Sequence, residues 1–192
     1  MKAISDKIWE TRKSRINQEK RLLHYATISE FIIPWYSIVL IAITINPFPQ
    51  RKEIANYSSI IGSIIILVVS IIISSKDFKL RAKEVKSIYI QLDKLYHQAK
   101  SIELLRGDIN EVFVEYSSIL DNTENHSTDD YMKLRIDCWH RYIKNKNAYS
   151  DSIDLPTILE ITLYTINRIA RSLLLLFLFL GIPILFFTYI TL

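Results

Sequence analysis

The sequence predicts an all-α membrane protein with an N-terminal transmembrane helical hairpin, a cytoplasmic helical bundle and a C-terminal transmembrane helix. Residues 31–45, 54–75 and 172–192 contain no Asp, Glu, Lys or Arg. Asn46-Pro47-Phe48-Pro49, between the first two runs, is a strong turn signal. The remaining sequence is charged and carries apolar residues at helical spacing. A helix rising about 1.5 Å per residue needs roughly 20 apolar residues to cross a hydrocarbon layer about 30 Å thick. The second and third runs have that length. The first reaches it only if its helix begins back within residues 22–26, which brings Glu30 close to the interface.

The expected organisation is an amphipathic cytoplasmic helix over residues 1–30, the hairpin over 31–75, a cytoplasmic helical region over 76–155, and over 156–192 a helix that continues into the third span. The first 21 residues are polar and helix-forming. A secretory signal would instead pass at once from a short basic start to an apolar core, so the N-terminal segment is expected to be retained. Cys138 is the single cysteine, which excludes an intrachain disulfide.

Orientation follows from positive charge. Lys2, Lys7, Arg12, Lys13, Arg15, Lys20 and Arg21 precede the first run, and Lys76, Lys79, Arg81, Lys83 and Lys86 follow the second. The connection between them carries only Arg51 and Lys52. Basic residues are kept on the cytoplasmic side, so the N-terminus and the middle region are expected inside and the hairpin tip outside. Arg168 and Arg171, before the third run, agree, which leaves the C-terminus outside. The net charge of +4 does not point to nucleic acid, because residues 76–171 hold 15 basic and 15 acidic side chains. The excess lies at the membrane boundary, where topology and anionic lipid account for it. Direct nucleic-acid binding is therefore not the expectation.

In the middle region Phe78, Val85, Ile88, Leu92, Leu95, Ala99, Ile102, Ile109, Phe113, Tyr116 and Leu120 follow a 4,3 spacing. That predicts a long helix, or two broken near Gly107-Asp108, burying a narrow seam. The seam can lie within the chain, as in an intramolecular bundle, or between subunits. Residues 121–129 are polar and aperiodic, a loop. Ser127 or Thr128 can cap the next helix, with Asp130 in its first turn and Tyr131, Leu134, Cys138 and Tyr142 on one face. Residues 145–154 form a second polar break. Thr157 and Glu160 have capping-box spacing after Pro156, which starts a helix running into the third span.

Little in the sequence supports catalysis. His24, His97, His126 and His140 are scattered, and Cys138 stands two residues from His140, a separation that puts the two on different helix faces. Gly62, Gly107 and Gly181 are the only glycines, too few for a phosphate-binding loop. No cofactor, metal or enzymatic activity is expected. The glycosylation-like Asn56-Tyr57-Ser58 and Asn125-His126-Ser127 match a pattern common by chance.

The polar residues of the spans form a pattern. Ser59, Ser63, Ser70 and Ser74 share roughly one face of the second span with Gly62 beside them, and Ser37 and Thr44 lie two turns apart on the first. Small residues allow close helix packing without lipid between. Alternatively, in an oligomer the same face lines a wet pore. Glu30 stands at the cytoplasmic mouth, as a solvated boundary residue or as part of a charged ring. Pro34 in the first span and Gly181 with Pro183 in the third are places for kinks.

Trp9-Glu-Thr-Arg12-Lys-Ser-Arg15-Ile16 is similar to the Trp- and Arg-bearing helix that precedes the hairpin in the SLATT domain family of bacterial two-helix membrane effectors. The helix of Leu92, Leu95 and Ala99 resembles that family's cytoplasmic helix. Residues 116–130, with Glu124-Asn125-His126 and Asp130-Tyr131, resemble most the subfamily associated with reverse transcriptases. The resemblance spans nearly the whole chain, with the third span as an addition. It implies an effector in the bacterial inner membrane that acts beside a nucleotide-sensing or reverse-transcriptase partner, forms pores or disrupts membranes when triggered, and kills or arrests an infected cell. It implies no catalytic residues.

The functional expectation is a non-enzymatic effector whose partners are the bilayer, further copies of itself and a sensing protein. The hairpin face of Ser37, Thr44, Ser59, Gly62, Ser63, Ser70 and Ser74 would form the pore or packing surface, with Glu30 at its mouth. Trp9, Arg12 and Arg15 would couple it to the bundle. The alternatives are a non-conducting anchor or scaffold and a holin-like protein or transporter subunit. The topology is tested by single cysteines in a Cys138→Ser background: in intact cells an impermeant maleimide should label a cysteine at position 50, within the hairpin tip, and spare one at position 87.

Overall fold

A computed structural model of the chain describes residues 3–45, 52–121, 127–144 and 153–191. Among the described residues every element is helical: α1 (Ile4–Ile45), α2 (Lys52–Ser74), α3 (Phe78–Leu104), α4 (Asn110–Asp121), α5 (Thr128–Lys144), α6 (Ile158–Leu176), a π-turn (Phe177–Gly181) and α7 (Ile182–Thr191). Three helical stretches are long and apolar enough to cross a membrane: one in α1, one beginning in α2, and one running from α6 into α7. The expected turn over residues 46–49 and the polar stretches at 122–126 and 145–152 lie outside the described residues.

The chain divides into two compact units, Met1–Leu23 with Lys79–Tyr164 and His24–Phe78 with Thr165–Leu192. In the first unit the core is Ile8, Leu92, Leu95, Ala99, Val112 and Tyr116, so the seam of α3 is filled from within the chain, by α1 and α4. The Tyr116 hydroxyl lies 2.7 Å from Thr11 Oγ1, giving this phenol a polar partner at the edge of the core.

The expected break near Gly107 takes a specific form. Gly107 N–H donates to the Ile102 carbonyl at 2.9 Å and Arg106 N–H to that of Glu103 at 3.2 Å, a Schellman closure with Arg106 held at φ 54°. Asp108 Oδ1 then accepts the Asn110 N–H at 3.0 Å and opens α4. Beyond this turn one sequence expectation is corrected. Ile109, Tyr116 and Leu120 still reach the core, but Val112 takes the place expected of Phe113, which is 53% exposed.

Two polar clusters tie the remaining helices of this unit. Asp130, 3% exposed, accepts both Arg21 Nε (3.0 Å) and Nη2 (2.9 Å). It also accepts the Ser127 N–H and hydroxyl, so one carboxylate both closes the start of α5 and joins it to α1. Asn17 adds a bond to the Asp130 carbonyl. Trp9 packs beside the buried Leu134, Cys138 and Ile153. At the other end Arg135 donates to Glu160 through two nitrogens, at 2.8 and 3.1 Å, and to the carbonyls of Asp154 and Leu155. Thr157 and Glu160 make the reciprocal capping box that their spacing predicts.

In the second unit a Cβ added at Gly62 would lie 2.8 Å from Leu40 Cδ2, which shows how closely α1 and α2 approach. Pro34 is accommodated inside α1 without ending it.

Two outcomes follow from the polar clusters. Asp130→Ala leaves the Arg21 guanidinium without its carboxylate and should lower the unfolding free energy by about 3 kcal/mol in a detergent melt, as loss of one member of a largely buried pair does. Glu160 lies before the uncharged third run. Bonding to Arg135 and to the Thr157 N–H lowers its pKa from 4.5 to about 2. A lowered folded-state pKa contributes stability that is complete above about 4.5 and lost as pH falls towards about 2. Wild type should therefore melt above Glu160→Gln at neutral pH, and the gap should close across that acid window.

Candidate membrane-embedded site

The apolar helices must bury polar groups in a solvent that offers no hydrogen bonds, so each hydroxyl in them needs an internal partner. Five hydroxyls of the hairpin face have it on their own helix. Ser37 donates to the Ile33 carbonyl at 3.0 Å and Thr44 to that of Leu40 at 2.8 Å. Ser63 donates to the Ser59 carbonyl and Ser70 to that of Leu67, both at 2.7 Å, and Ser59 donates to Asn56 at 3.1 Å. Such back-bonding spends the donor within the helix and makes each hydroxyl tolerable in lipid.

Five of the sequence-predicted face residues converge. Ser37 and Thr44 of α1 with Ser59, Ser63 and Ser70 of α2 line one open groove of about 530 Å³. Among the described residues none from the third run lines it. Gly62 points elsewhere. With Ile32, Tyr36, Leu40, Leu178 and Pro183 it lines a second, almost wholly apolar groove of about 710 Å³. Ser74 lies at the end of α2, beyond the residues lining either groove. Glu30 is exposed on α1 just before the first uncharged run.

The third run carries a feature that hydropathy does not reveal. Ile182 N–H donates to the Phe177 carbonyl, five residues back, and residue 183 is a proline with no N–H. The Ile182 N–H that a regular helix would give to Leu178 thus goes to Phe177, and Pro183 has none to give Phe179, so both carbonyls lose their i+4 donor. Those two accept side-chain donors from α1: Trp35 Nε1–H donates to Phe179 at 2.8 Å, and the Tyr36 hydroxyl donates to Leu178. The Trp35 and Phe179 rings also lie 6.5 Å apart. Gly181 permits the bulge, since a Cβ there would come within 2.5 Å of the Phe177 ring. Sequence reasoning singled out Gly181 and Pro183 but missed Trp35 and Tyr36. Their signal was two adjacent aromatic donors inside an apolar run.

Trp9, Arg12 and Arg15 sit in the first unit. Arg15 is fully buried, with Nη1 donating to Gln18 Oε1 at 3.0 Å. Arg12 pairs with Asp93 of α3 at 2.9 Å. Ser14, Asn17, Gln18 and Glu10 are buried as well, so the buried side of α1 mixes polar groups with Ile8 and Leu22 where an ordinary bundle helix is mainly apolar. Cys138 is buried, and desolvation raises its pKa, which describes an inert thiol. His140 is exposed and turns its ring to the Ile136 carbonyl.

The profile of SMODS and SLOG-associating 2TM effector domain family 5 matches residues 1–189. No curated protein and no solved structure matches the chain.

Proposed function

The chain belongs to SMODS and SLOG-associating 2TM effector domain family 5, and on that premise we propose that it is a bacterial conflict-system effector whose copies assemble through the hydroxyl-lined groove and permeabilise the inner membrane. The observation that carries this reading is the convergence of Ser37, Thr44, Ser59, Ser63 and Ser70 on one groove that the third run leaves open. Small hydroxyl residues let a neighbouring helix approach closely, and hydroxyl oxygens can face water once several copies surround an axis. Glu30 would stand at the cytoplasmic mouth. The trigger would come from a nucleotide-sensing or reverse-transcriptase partner acting on the bundle, with the N-terminus and the bundle inside and the C-terminus outside. Trp9, Arg12 and Arg15 would couple the two, because α1 carries both these residues and the first uncharged run without a break.

One observation favours a second reading, a non-conducting anchor. The hydroxyls already bonded to their own helices need no water, so the groove also suits close packing alone.

Ser63→Leu with Ser70→Leu separates the two readings. Under the pore reading the triggered leak of dye and membrane potential should fall at least about tenfold, the equivalent of ~1.4 kcal/mol of overpacking at the groove. Glu30→Lys should change the leak while cross-linked oligomers persist. An induced chain that keeps potential and dye exclusion intact while its partner is active would leave only the anchor.

A further inference from the structure

Within the second unit the third run meets α1 through an arrangement unlike ordinary apolar packing. No described residue of α6 or of the π-turn is buried. Below the contact lies the apolar groove of about 710 Å³, lined by Ile32, Val39, Gly62, Leu178, Ile182 and Pro183 among others. What is well formed is polar: the two carbonyls skipped at the π-turn receive the only two donors that the Trp35-Tyr36 pair can offer from its side chains. In lipid an open carbonyl has no water to fall back on, so these donors and acceptors are matched to each other.

We propose that Trp35, Tyr36 and the π-turn at Phe177–Gly181 form a releasable latch that holds the third span against the first, and that its opening is the membrane-embedded step of the effector's response. The second half of this statement rests on the effector reading above; the first half does not. The latch is suited to release because its strength is small and localised. An interhelical hydrogen bond in a membrane shifts a docking equilibrium by about threefold, and at most about eighteenfold. Two such bonds give about ninefold. Closing the bulge weakens the latch from the other side, since an α-helical register would return the Leu178 carbonyl to the Ile182 N–H, while Phe179 stays opposite Pro183, which has none. The third span is then a cover for one side of the hairpin, while the hydroxyl-lined groove stays open on its own.

The test uses the full-length protein in native-composition vesicles, with spin labels at Val39→Cys and Ile182→Cys in a Cys138→Ser background. Trp35→Phe with Tyr36→Phe removes both donors and keeps the rings. Pro183→Ala instead supplies a helical N–H that competes with Trp35 for the Phe179 carbonyl, which guards against a fold defect specific to either change. The double variant should raise the undocked, long-distance population about ninefold and Pro183→Ala about threefold, and both should leak in cells without a trigger. Unchanged distances in both variants would overturn the latch. Widened distances with no untriggered leak, where wild type leaks on triggering, would overturn its role in the response. Widened distances with no leak from any form, triggered wild type included, would leave the latch standing and remove the effector reading.

Discussion

The absence of water inside a bilayer is the constraint on which the membrane half of this chain depends. Every N–H, carbonyl and hydroxyl in an uncharged helix has to find its partner within the protein. Ser37, Thr44, Ser59, Ser63 and Ser70 solve this locally, each bonding to a carbonyl three or four residues back. The third run cannot, because Pro183 removes one donor and the π-turn displaces the ladder. Its solution reaches across to Trp35 and Tyr36. The same constraint therefore leaves one side of the hairpin self-sufficient and ties the other to a third helix.

The first unit follows a different logic. Its apolar core is small, and charged or polar side chains do much of the joining: Asp130 with Arg21, Arg135 with Glu160, Arg12 with Asp93. Arg15 is wholly buried. Burying charge costs free energy that well-packed apolar residues would not, and the return is geometric definition. A helix keyed by polar contacts has few alternative registers. That property fits α1, which contributes to both compact units as one unbroken helix.

The sequence made much of this legible, for identifiable reasons. Uncharged runs mark the spans because charge in lipid is costly, and the Thr157–Glu160 capping box was readable because its bonds are local. The serine face was legible from helical spacing on α2, and only the fold could bring Ser37 and Thr44 to the same groove. Gly62 left that group because it lines the apolar groove with Ile32, Tyr36 and Leu178 instead. Phe113 was misassigned because its neighbour Val112 takes the core position on α4 beside Tyr116, and apolar spacing does not separate two adjacent apolar residues. The latch was hidden for another reason. Its acceptors are backbone carbonyls, which have no signature in a sequence until the helix that frees them is seen.

Together these features describe a family 5 effector domain with a polar-keyed bundle, a hairpin with five hydroxyl residues along one open groove, and a third span bonded to the first through Trp35 and Tyr36. The central claim is that assembly of this chain permeabilises a bilayer. Conductance of planar bilayers containing the purified protein, followed as its density increases, tests that claim most directly. The account predicts discrete conductance that rises more steeply than linearly with density, as an assembled pore requires. A silent bilayer at densities where cross-linking shows oligomers would contradict it.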